Sequence, residues 1–298
     1  MQPTKNVHPA TNMRFTKMHG IGNDFVMVDC LGPGGAAKLT EAKREAVFLC
    51  DRKFGVGGDG VIALVTGESA PFAMKMFNPD GTESEMCGNG IRCFAKFLWD
   101  RDLTHGEKNV PVETGAGLLH LQIHAGADGK ADSVRVDMGE PVLEAALIPT
   151  TLGSGMGPVV NIPLELADRT VFVTPVSMGN PHAVLFVDRV KAYPVETVGP
   201  QVECHPAFPR RINTEFIEVL SEREINFRVW ERGAAETLAC GTGACASVVA
   251  CVLNGRTCRT VLVHLPGGDL DIEWSEADNH VYMTGPAAEV FEGEIRVP

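Results

Sequence analysis

Residues 77–93 read FNPDGTESEMCGNGIRC, and residues 230–246 read WERGAAETLACGTGACA. Aligned without gaps at an offset of 153, they pair Phe77 with Trp230, Glu83 with Glu236 and Cys87 with Cys240. Gly88 then matches Gly241, and Gly90 matches Gly243. An echo lies upstream: Gly22-Asn23 precedes an apolar run ending at Asp29, and Gly179-Asn180 precedes one ending at Asp188. Another lies downstream, where VETGAGLLHLQI (112–123) matches VHLPGGDLDIEW (263–274). Three echoes in one order read as two homologous halves, each with a G-N turn and a C-G-x-G turn.

Short Val/Ile/Phe-rich runs bounded by Gly, Pro, Asn or Asp predict strands. They lie at 26–29, 61–65, 72–77, 119–124 and 134–138, then at 171–176, 183–188, 216–220, 226–230, 261–265 and 270–274. Thr40–Cys50 has the cap and spacing of a helix. Gly90–Trp99 and Gly243–Leu253 follow the C-G-x-G turns and are apolar nearly all round, which predicts burial on every side. The expected class is α+β: two pseudo-symmetric domains, each a curved, mostly antiparallel sheet or barrel wrapped around a central apolar helix. The halves divide into 1–132, carrying Cys87, and 133–285, carrying Cys240. The Gly/Pro-rich stretch around Pro149–Pro158 reads as a linker.

Composition narrows the function. The 298 residues carry 26 Lys and Arg against 38 Asp and Glu, a net charge of −12. Nucleic acids and anionic membranes reward a basic surface, so neither is an expected partner. No apolar run approaches the ~18–20 residues of a membrane span. The N-terminus shows no apolar signal core, so a cytoplasmic protein with reduced thiols is expected. Nine cysteines cannot all pair internally. None forms a CxxC pair, and no Cys/His cluster has zinc spacing, so no metal is expected. The cysteines read as core fillers or catalytic thiols.

Cys87 and Cys240 each stand where a buried helix begins. The first N–H groups of a helix lack intrahelical partners and favour an anion. That anion is either the thiolate, whose pKa falls at such a position, or a substrate carboxylate on the backbone of Gly88-Asn89 and Gly241-Thr242. A pseudo-two-fold axis would set the two thiols facing each other across the interdomain cleft. One thiolate could take a proton from a carbon while the other thiol returns one on the opposite face, inverting that centre without an organic cofactor. Cys50, Cys93, Cys245, Cys251 and Cys258 read as core fillers. Asn23, Asn180 and Asn78 read either as turn formers or as ligands, and Asn213 either as a strand entry or as a ligand. Glu231-Arg232 is either a surface ion pair or part of a site. Four amides with a Glu-Arg pair suit a zwitterion, because Arg forks onto carboxylate while Glu and amide oxygens receive ammonium. His182 reads as a base, an orienting group or a structural histidine.

The segments FTKMHGIGNDFVMVD (15–29), DRKFGVGGDGV (51–61), MFNPDGTESEMCGNGIRCFAKF (76–97), VSMGNPHAVLFV (176–187) and VWERGAAETLACGTGACASV (229–248) resemble the diaminopimelate epimerase family, in order and over most of the chain. The resemblance implies that Cys87 and Cys240 are the two acid/base thiols, with His182 and Glu231 in the catalytic set. It implies substrate contacts from Asn23, Asn78, Asn180, Asn213, Glu231 and Arg232, and from Gly88, Asn89, Gly241 and Thr242. The implied substrate is a small diamino diacid, converted from the LL to the meso form without pyridoxal phosphate or any other cofactor. The implied product feeds lysine and peptidoglycan synthesis, and the implied assembly is a homodimer. The resemblance also implies that the last strand, 286–298, returns to complete the N-terminal half. Gly60 follows Asp59 where some relatives carry Gln, so no side-chain contact transfers there. Residues 1–12 precede the family's start and read as a flexible tail.

Other functions remain in view. Proline and hydroxyproline racemases resemble this fold, but their substrates lack the second charged end that the Asn set and Glu231-Arg232 suit. Phenazine-type isomerases lack the paired thiols. A cysteine hydrolase pairing Cys240 with His182 leaves the second C-G-x-G turn unexplained. A non-catalytic amino-acid binding protein would hold substrate without exchanging its α-hydrogen.

Overall fold

Runs of Val, Ile and Phe bounded by turn residues need neighbours on both edges, and two apolar helices need walls on every side. The computed structural model describes residues 11–153 and 157–298. Its packing divides the chain into two units, Met1–Ala131 with Ala287–Pro298, and Asp132–Pro286.

The first unit runs β1 (Thr11–Gly20), β2 (Asn23–Asp29), α1 (Gly35–Arg44), α2 (Ala46–Cys50), β3 (Gly60–Thr66), β4 (Phe72–Phe77), β5 (Glu83–Ser84), α3 (Gly88–Asp100), β6 (Asn109–Thr114) and β7 (Gly117–Ala125). Strand β2 lies antiparallel to β1 and parallel to β3, and β4 is antiparallel to β3 and parallel to β6. Strand β7 closes a hairpin on β6, and the short β5 lies antiparallel on β4.

The second unit runs β8 (Ala131–Asp137), β9 (Ile162–Glu165), β10 (Thr170–Ser177), β11 (Pro181–Phe186), a 3-10 turn (Val190–Ala192), α4 (Val195–Glu203), β12 (Asn213–Ser221), β13 (Glu224–Glu231), β14 (Ala235–Thr237), α5 (Gly241–Leu253), β15 (Thr260–Leu265), β16 (Gly268–Trp274) and β17 (Val281–Pro286). From β10 to β16 the pairings repeat those of β1 to β7 step for step. Strand β9 extends this set at β10, and β17 with β8 extends it at β16. The last strand, β18 (Ala288–Val297), belongs to the first unit and pairs antiparallel with β1. The sequence repeat is therefore a repeat of topology.

Each sheet curves around one helix. Strands β1, β2, β3, β7 and β18 pack on α3, and strands β10, β11, β12, β15, β16 and β17 pack on α5. The strands beside the C-G-x-G turns are buried on both faces, which is why they read as unbroken apolar runs. In β2 and β3, Val26, Val28, Val61 and Ala63 face a core with α1 and α2 residues Ala42, Ala46 and Leu49. The alternate residues, Phe25 and Ile62, lie against α3 at Gly90. In the second unit Ala183, Leu185 and Phe216 pack with Val195, Val198 and Val202 of α4. Fully burying each large aliphatic or aromatic side chain contributes roughly 1.5–3 kcal/mol.

The expected helix Thr40–Cys50 differs from what forms. Helix α1 starts earlier, at Gly35, and the chain breaks at Glu45 before α2 begins. Thr40 is no cap; its hydroxyl donates to Ala36 O within α1 (2.8 Å). Of the stretch Pro149–Pro158, residues 154–156 lie outside the described residues, and the rest falls within the second unit rather than between units. Thr150 and Thr151 anchor it there, both donating to Ala207 O (3.0 and 2.9 Å). Of the expected tail 1–12, residues 1–10 lie outside the described residues, while Thr11 and Asn12 already belong to β1. Helix α3 is less apolar than expected, because Arg92 is fully buried within it. Among the described residues no helix is long and apolar enough to cross a membrane.

Helix α4 holds β13 in place through a close contact. A Cβ at Gly199 would lie 2.5 Å from both Cβ and Cγ of Trp230. Gly199→Ala must push the indole or the helix aside, at a cost of about 1–3 kcal/mol. The expected result is a lower urea midpoint with unchanged slope; an unchanged midpoint would mean that α4 and Trp230 do not pack this way.

Candidate active site

In the first unit the turn before β2 places Asn23. Gly22 takes φ 89°, a conformation open to glycine, and Asn23 begins the strand. Cys87 sits at the N-cap of α3 in extended geometry, φ −140°. Its thiol donates to Asn23 Oδ1 (3.6 Å), and Asn89 Nδ2 donates to the same oxygen (3.2 Å). Asn23 Nδ2 donates to Asp59 Oδ2 (2.7 Å), and Arg52 holds Asp59 Oδ1 (2.7 Å). At the other end Arg92 donates to Asn89 Oδ1 (2.9 Å) and to Gly88 O (3.0 Å). A carboxylate only accepts and a guanidinium only donates, so the direction of every link is fixed. The oxygen of Asn23 thus points to Cys87 and Asn89.

Beside this chain Arg52 also grips Asp24 with two nitrogens (3.0 and 2.6 Å), and Lys17 binds the same carboxylate. Burial alone would raise the Asp24 carboxyl; the Arg52 and Lys17 hydrogen bonds outweigh it and hold the group at about 2. Asn78 is placed apart from these contacts. Its amide donates to Thr82 Oγ1 (2.9 Å) and its backbone N–H to Thr82 O (2.8 Å), as in a turn former.

In the second unit Gly179 (φ 93°) repeats the turn and is followed by Asn180. Asn180 Oδ1 lies 3.0 Å from His182 Nε2. His182 Nδ1 lies 2.7 Å from Glu215 Oε1, and both His182 and Glu215 are fully buried. Asn213 accepts from the backbone N–H of Arg232 (2.8 Å) and donates to Pro181 O (3.1 Å). Glu231 receives the Thr237 hydroxyl. Arg232 is exposed and donates to Arg210 O (3.2 Å).

Cys240 caps α5; its sulfur accepts the N–H of Gly243 (3.4 Å) and lies 3.5 Å from Thr242 Oγ1. A helix start favours the thiolate, yet here burial, followed by the charges of Glu231 and Glu215, pushes the thiol well above its usual range. The expected lowering therefore does not hold at Cys240. Burial likewise lifts Cys50 to about 11 and Cys93 and Cys251 to about 12, as suits core fillers, and Cys245 is fully buried. Cys258 is only half-buried and is no core residue.

The first unit thus brings together Asn23, Cys87, Gly88 and Asn89. The second links Asn180 to His182, and Asn213 to Arg232. Sequence reasoning missed Asp59, Arg52, Arg92, Glu203 and Glu215. Glu203 accepts from Trp230 Nε1 (2.7 Å) and Gly233 N (3.0 Å) and so braces the Glu231-Arg232 turn. One signal could have found Glu215: the offset that aligns the turns sets it opposite apolar Ile62.

The state of Cys240 is measurable. Exposed Cys204 serves as an internal standard for alkylation by iodoacetamide. At pH 8 Cys240 should react at least about tenfold more slowly than Cys204, gaining speed only as the pH rises further and thiolate forms. Equal rates at pH 8, read by peptide mass spectrometry, would contradict the raised thiol.

The family profile described as "Diaminopimelate epimerase" matches residues 15–144 and 174–290. Proteins named diaminopimelate epimerase include one from Agathobacter rectalis, 50% identical over 96% of this chain and 100% of its own length. Another, from Moorella thermoacetica, is 53% identical over 95% of this chain and 99% of its own. Among solved structures, a PhzF-family phenazine biosynthesis protein from Bacillus anthracis covers 96% of this chain and 100% of its own, with a TM-score of 0.69 at 17% identity. A hydroxyproline epimerase from Agrobacterium vitis covers 97% and 92%, with a TM-score of 0.69 at 15% identity. These two share the fold. With half of all positions identical along nearly the whole chain, the relatives leave one assignment: the chain belongs to the diaminopimelate epimerase family.

Proposed function

We propose that the protein interconverts LL- and meso-diaminopimelate, with Cys87 and Cys240 acting on one α-carbon from opposite faces. The observation that carries this reading is the repeated turn: each cysteine caps the start of a buried helix at the same place in the same topology. In the reaction a thiolate takes the α-hydrogen as a proton; an S–H bond forms as the C–H bond breaks, and the electron pair stays on carbon. The other thiol then gives its proton to that pair on the opposite face and ends as thiolate. Atoms and electrons balance, and the chain's own thiols supply both the base and the acid. The N–H groups at the starts of α3 and α5 suit the carboxylate of the reacting centre, whose charge grows as the carbanion forms. Arg232 suits the distal carboxylate, and Glu231 with the Asn23 oxygen suits the ammonium groups. The same reading includes catalysis without pyridoxal phosphate, a cytoplasmic homodimer and a product used for lysine and peptidoglycan.

A cysteine hydrolase built on Cys240 and His182 fits less well. Both ring nitrogens of His182 are already engaged, by Glu215 and by Asn180. No nitrogen remains to activate a thiol.

The protein incubated with LL-diaminopimelate in D₂O, without added cofactor, should exchange the α-hydrogen and form the meso isomer. Cys87→Ala and Cys240→Ala should each hold epimerisation below about 1% of wild type, because inversion needs both an acid and a base. Substantial turnover by either variant defeats the two-base reading. Arg232→Ala should raise the KM for diaminopimelate at least about tenfold by removing a charged hydrogen bond. Racemisation of lysine as fast as of diaminopimelate would show that Arg232 does not read the distal carboxylate.

A further inference from the structure

The two half-sites share a topology but differ at one pair of positions. In the first unit the residue two beyond Asn23 is Phe25, which pairs with Gly60, and Ile62 follows two residues along β3. In the second, the residue two beyond Asn180 is His182, which pairs with Asn213, and Glu215 follows two residues along β12. A Cβ on Gly90 would lie 2.8 Å from Ile62 Cδ1, and a Cβ on Gly243 would lie 2.8 Å from Glu215 Oε1. Ile62 under α3 and Glu215 under α5 therefore hold equivalent places. Hydrocarbon fills that place in one unit; a fully buried carboxyl bonded to a fully buried imidazole fills it in the other. Burying ionisable groups costs several kcal/mol relative to hydrocarbon, so packing alone does not account for the pair.

The hydrogen bonds show what the pair does. Asn23 has its amide nitrogen fixed on Asp59, so its oxygen is the group turned to Cys87 and Asn89. Among the described residues the Asn180 side chain is held only through its oxygen, by His182. While the His182–Glu215 pair keeps its shared proton, His182 Nε2 carries hydrogen. This holds whether the pair is imidazolium with carboxylate or imidazole with carboxylic acid. Nε2 then donates to Asn180 Oδ1, and the NH₂ of Asn180 is left to donate elsewhere. Once that proton is lost, the remaining imidazole hydrogen goes to Glu215 through Nδ1. Nε2 becomes a lone pair, Asn180 turns its NH₂ to it, and the oxygen is left instead. We propose that Glu215 is a positioning residue that acts through His182 to make Asn180 a hydrogen-bond donor to a substrate carboxylate, the opposite polarity to its counterpart Asn23.

The surroundings favour the proton-bearing state. Glu215 Oε2 has no hydrogen-bond partner among the described residues. Burial raises the Glu215 carboxyl, His182 opposes this, and Glu231 adds to it. The titratable groups facing the pair are Glu231 at the end of β13 and Cys240 at the start of α5. Strand β10 carries none, Glu203 of α4 is turned to Trp230 and Gly233, and Lys191 in the 3-10 turn is exposed. Negative charge at Glu231 holds the proton on the pair.

The inference rests on the epimerase reading for the identity of the carboxylate, so one arm of its test needs no turnover. In ¹⁵N-histidine NMR of the wild-type protein, His182 Nε2 should carry hydrogen at pH 7. An unprotonated Nε2 at pH 7 overturns the proposal whatever the enzyme does, and it needs no variant to fold. The kinetic arm follows KM for LL-diaminopimelate between pH 6 and 9. KM should rise as the pair loses its proton, because Asn180 then turns oxygen toward a carboxylate. Glu215→Gln removes the titrating carboxyl, so its KM should lose that pH dependence. Glu215→Leu leaves Nδ1 without a partner and should raise KM about tenfold, the scale of one lost hydrogen bond, with kcat within about threefold. A Glu215→Leu protein that folds with wild-type KM, or a Glu215→Gln profile that still follows the wild type, overturns the proposal. A protein that never exchanges the α-hydrogen overturns the epimerase reading and leaves the NMR result standing.

Discussion

A helix with no solvent-facing side can meet a ligand only at its ends. Helices α3 and α5 are in that position, and the rest of the architecture follows from it. Their side chains demand a wall of strands in every direction, which the curved sheets supply. The backbone N–H groups of the first turn, like the carbonyls of the last, still have unused hydrogen-bonding capacity in such a helix. A cysteine at that N-cap stands at the edge between core and site. Gly90 and Gly243 follow it because a strand residue presses against the first turn from the side. A side chain there would collide with Ile62 in one unit and with Glu215 in the other.

The halves kept their topology and diverged in how they hold polar groups inside it. Around Cys87 the polar support comes from the helix itself. Buried Arg92 clamps Asn89 and Gly88, and the chain of amides ends on Asp59 and Arg52. Around Cys240 the place of Arg92 is taken by Cys245, and the polar support comes from the strand side as Glu215 and His182. A network ending in a guanidinium and a carboxylate has no freedom of direction. A network ending in an imidazole and a buried carboxyl has one proton to gain or lose. The two turns are alike as backbone and unlike as chemistry.

How much of this was legible follows from where the information sits. The repeat was visible because Cys, Gly and Asn at the turns have few substitutes. The strands were visible where burial on both faces removed polar residues, as in VIALV and AVLFV. Helix α4 was not, because Gly199 and Pro200 stand inside it and tertiary contact with Trp230 overrides their low helix propensity. Strand β1 carries a lysine in its middle, which reads as surface until Asp24 is found beside it. Among the residues that the sequence singled out, Cys87 and Asn89 both bond to Asn23, and Asn180 meets His182. Asn213 stood out in the sequence, but its side-chain hydrogen bonds go to the backbone of Arg232 and Pro181. Glu215 was hidden because a glutamate in TEFIEVL looks like one of a strand's solvent-facing residues, and only the repeat assigns it to the buried face.

Asn213 and Glu215 stand two apart on β12, on the same face of the strand. One sets the backbone of Arg232; the other, through His182, bonds to Asn180. The turn that carries Arg232 is braced from a second side by Glu203, which holds Trp230 and Gly233 on either side of it. Its backbone is thus fixed by two buried side chains while the guanidinium stays exposed. Such a turn holds its charge in place with little backbone entropy left to lose. The opening of β12 therefore governs two contacts at once. A change in its register by a single residue would turn both Asn213 and Glu215 away from the helix and disconnect both contacts together. That coupling explains why a strand buried on both faces, rather than a loop, carries these polar groups: only a paired strand fixes their register well enough for both to reach their partners.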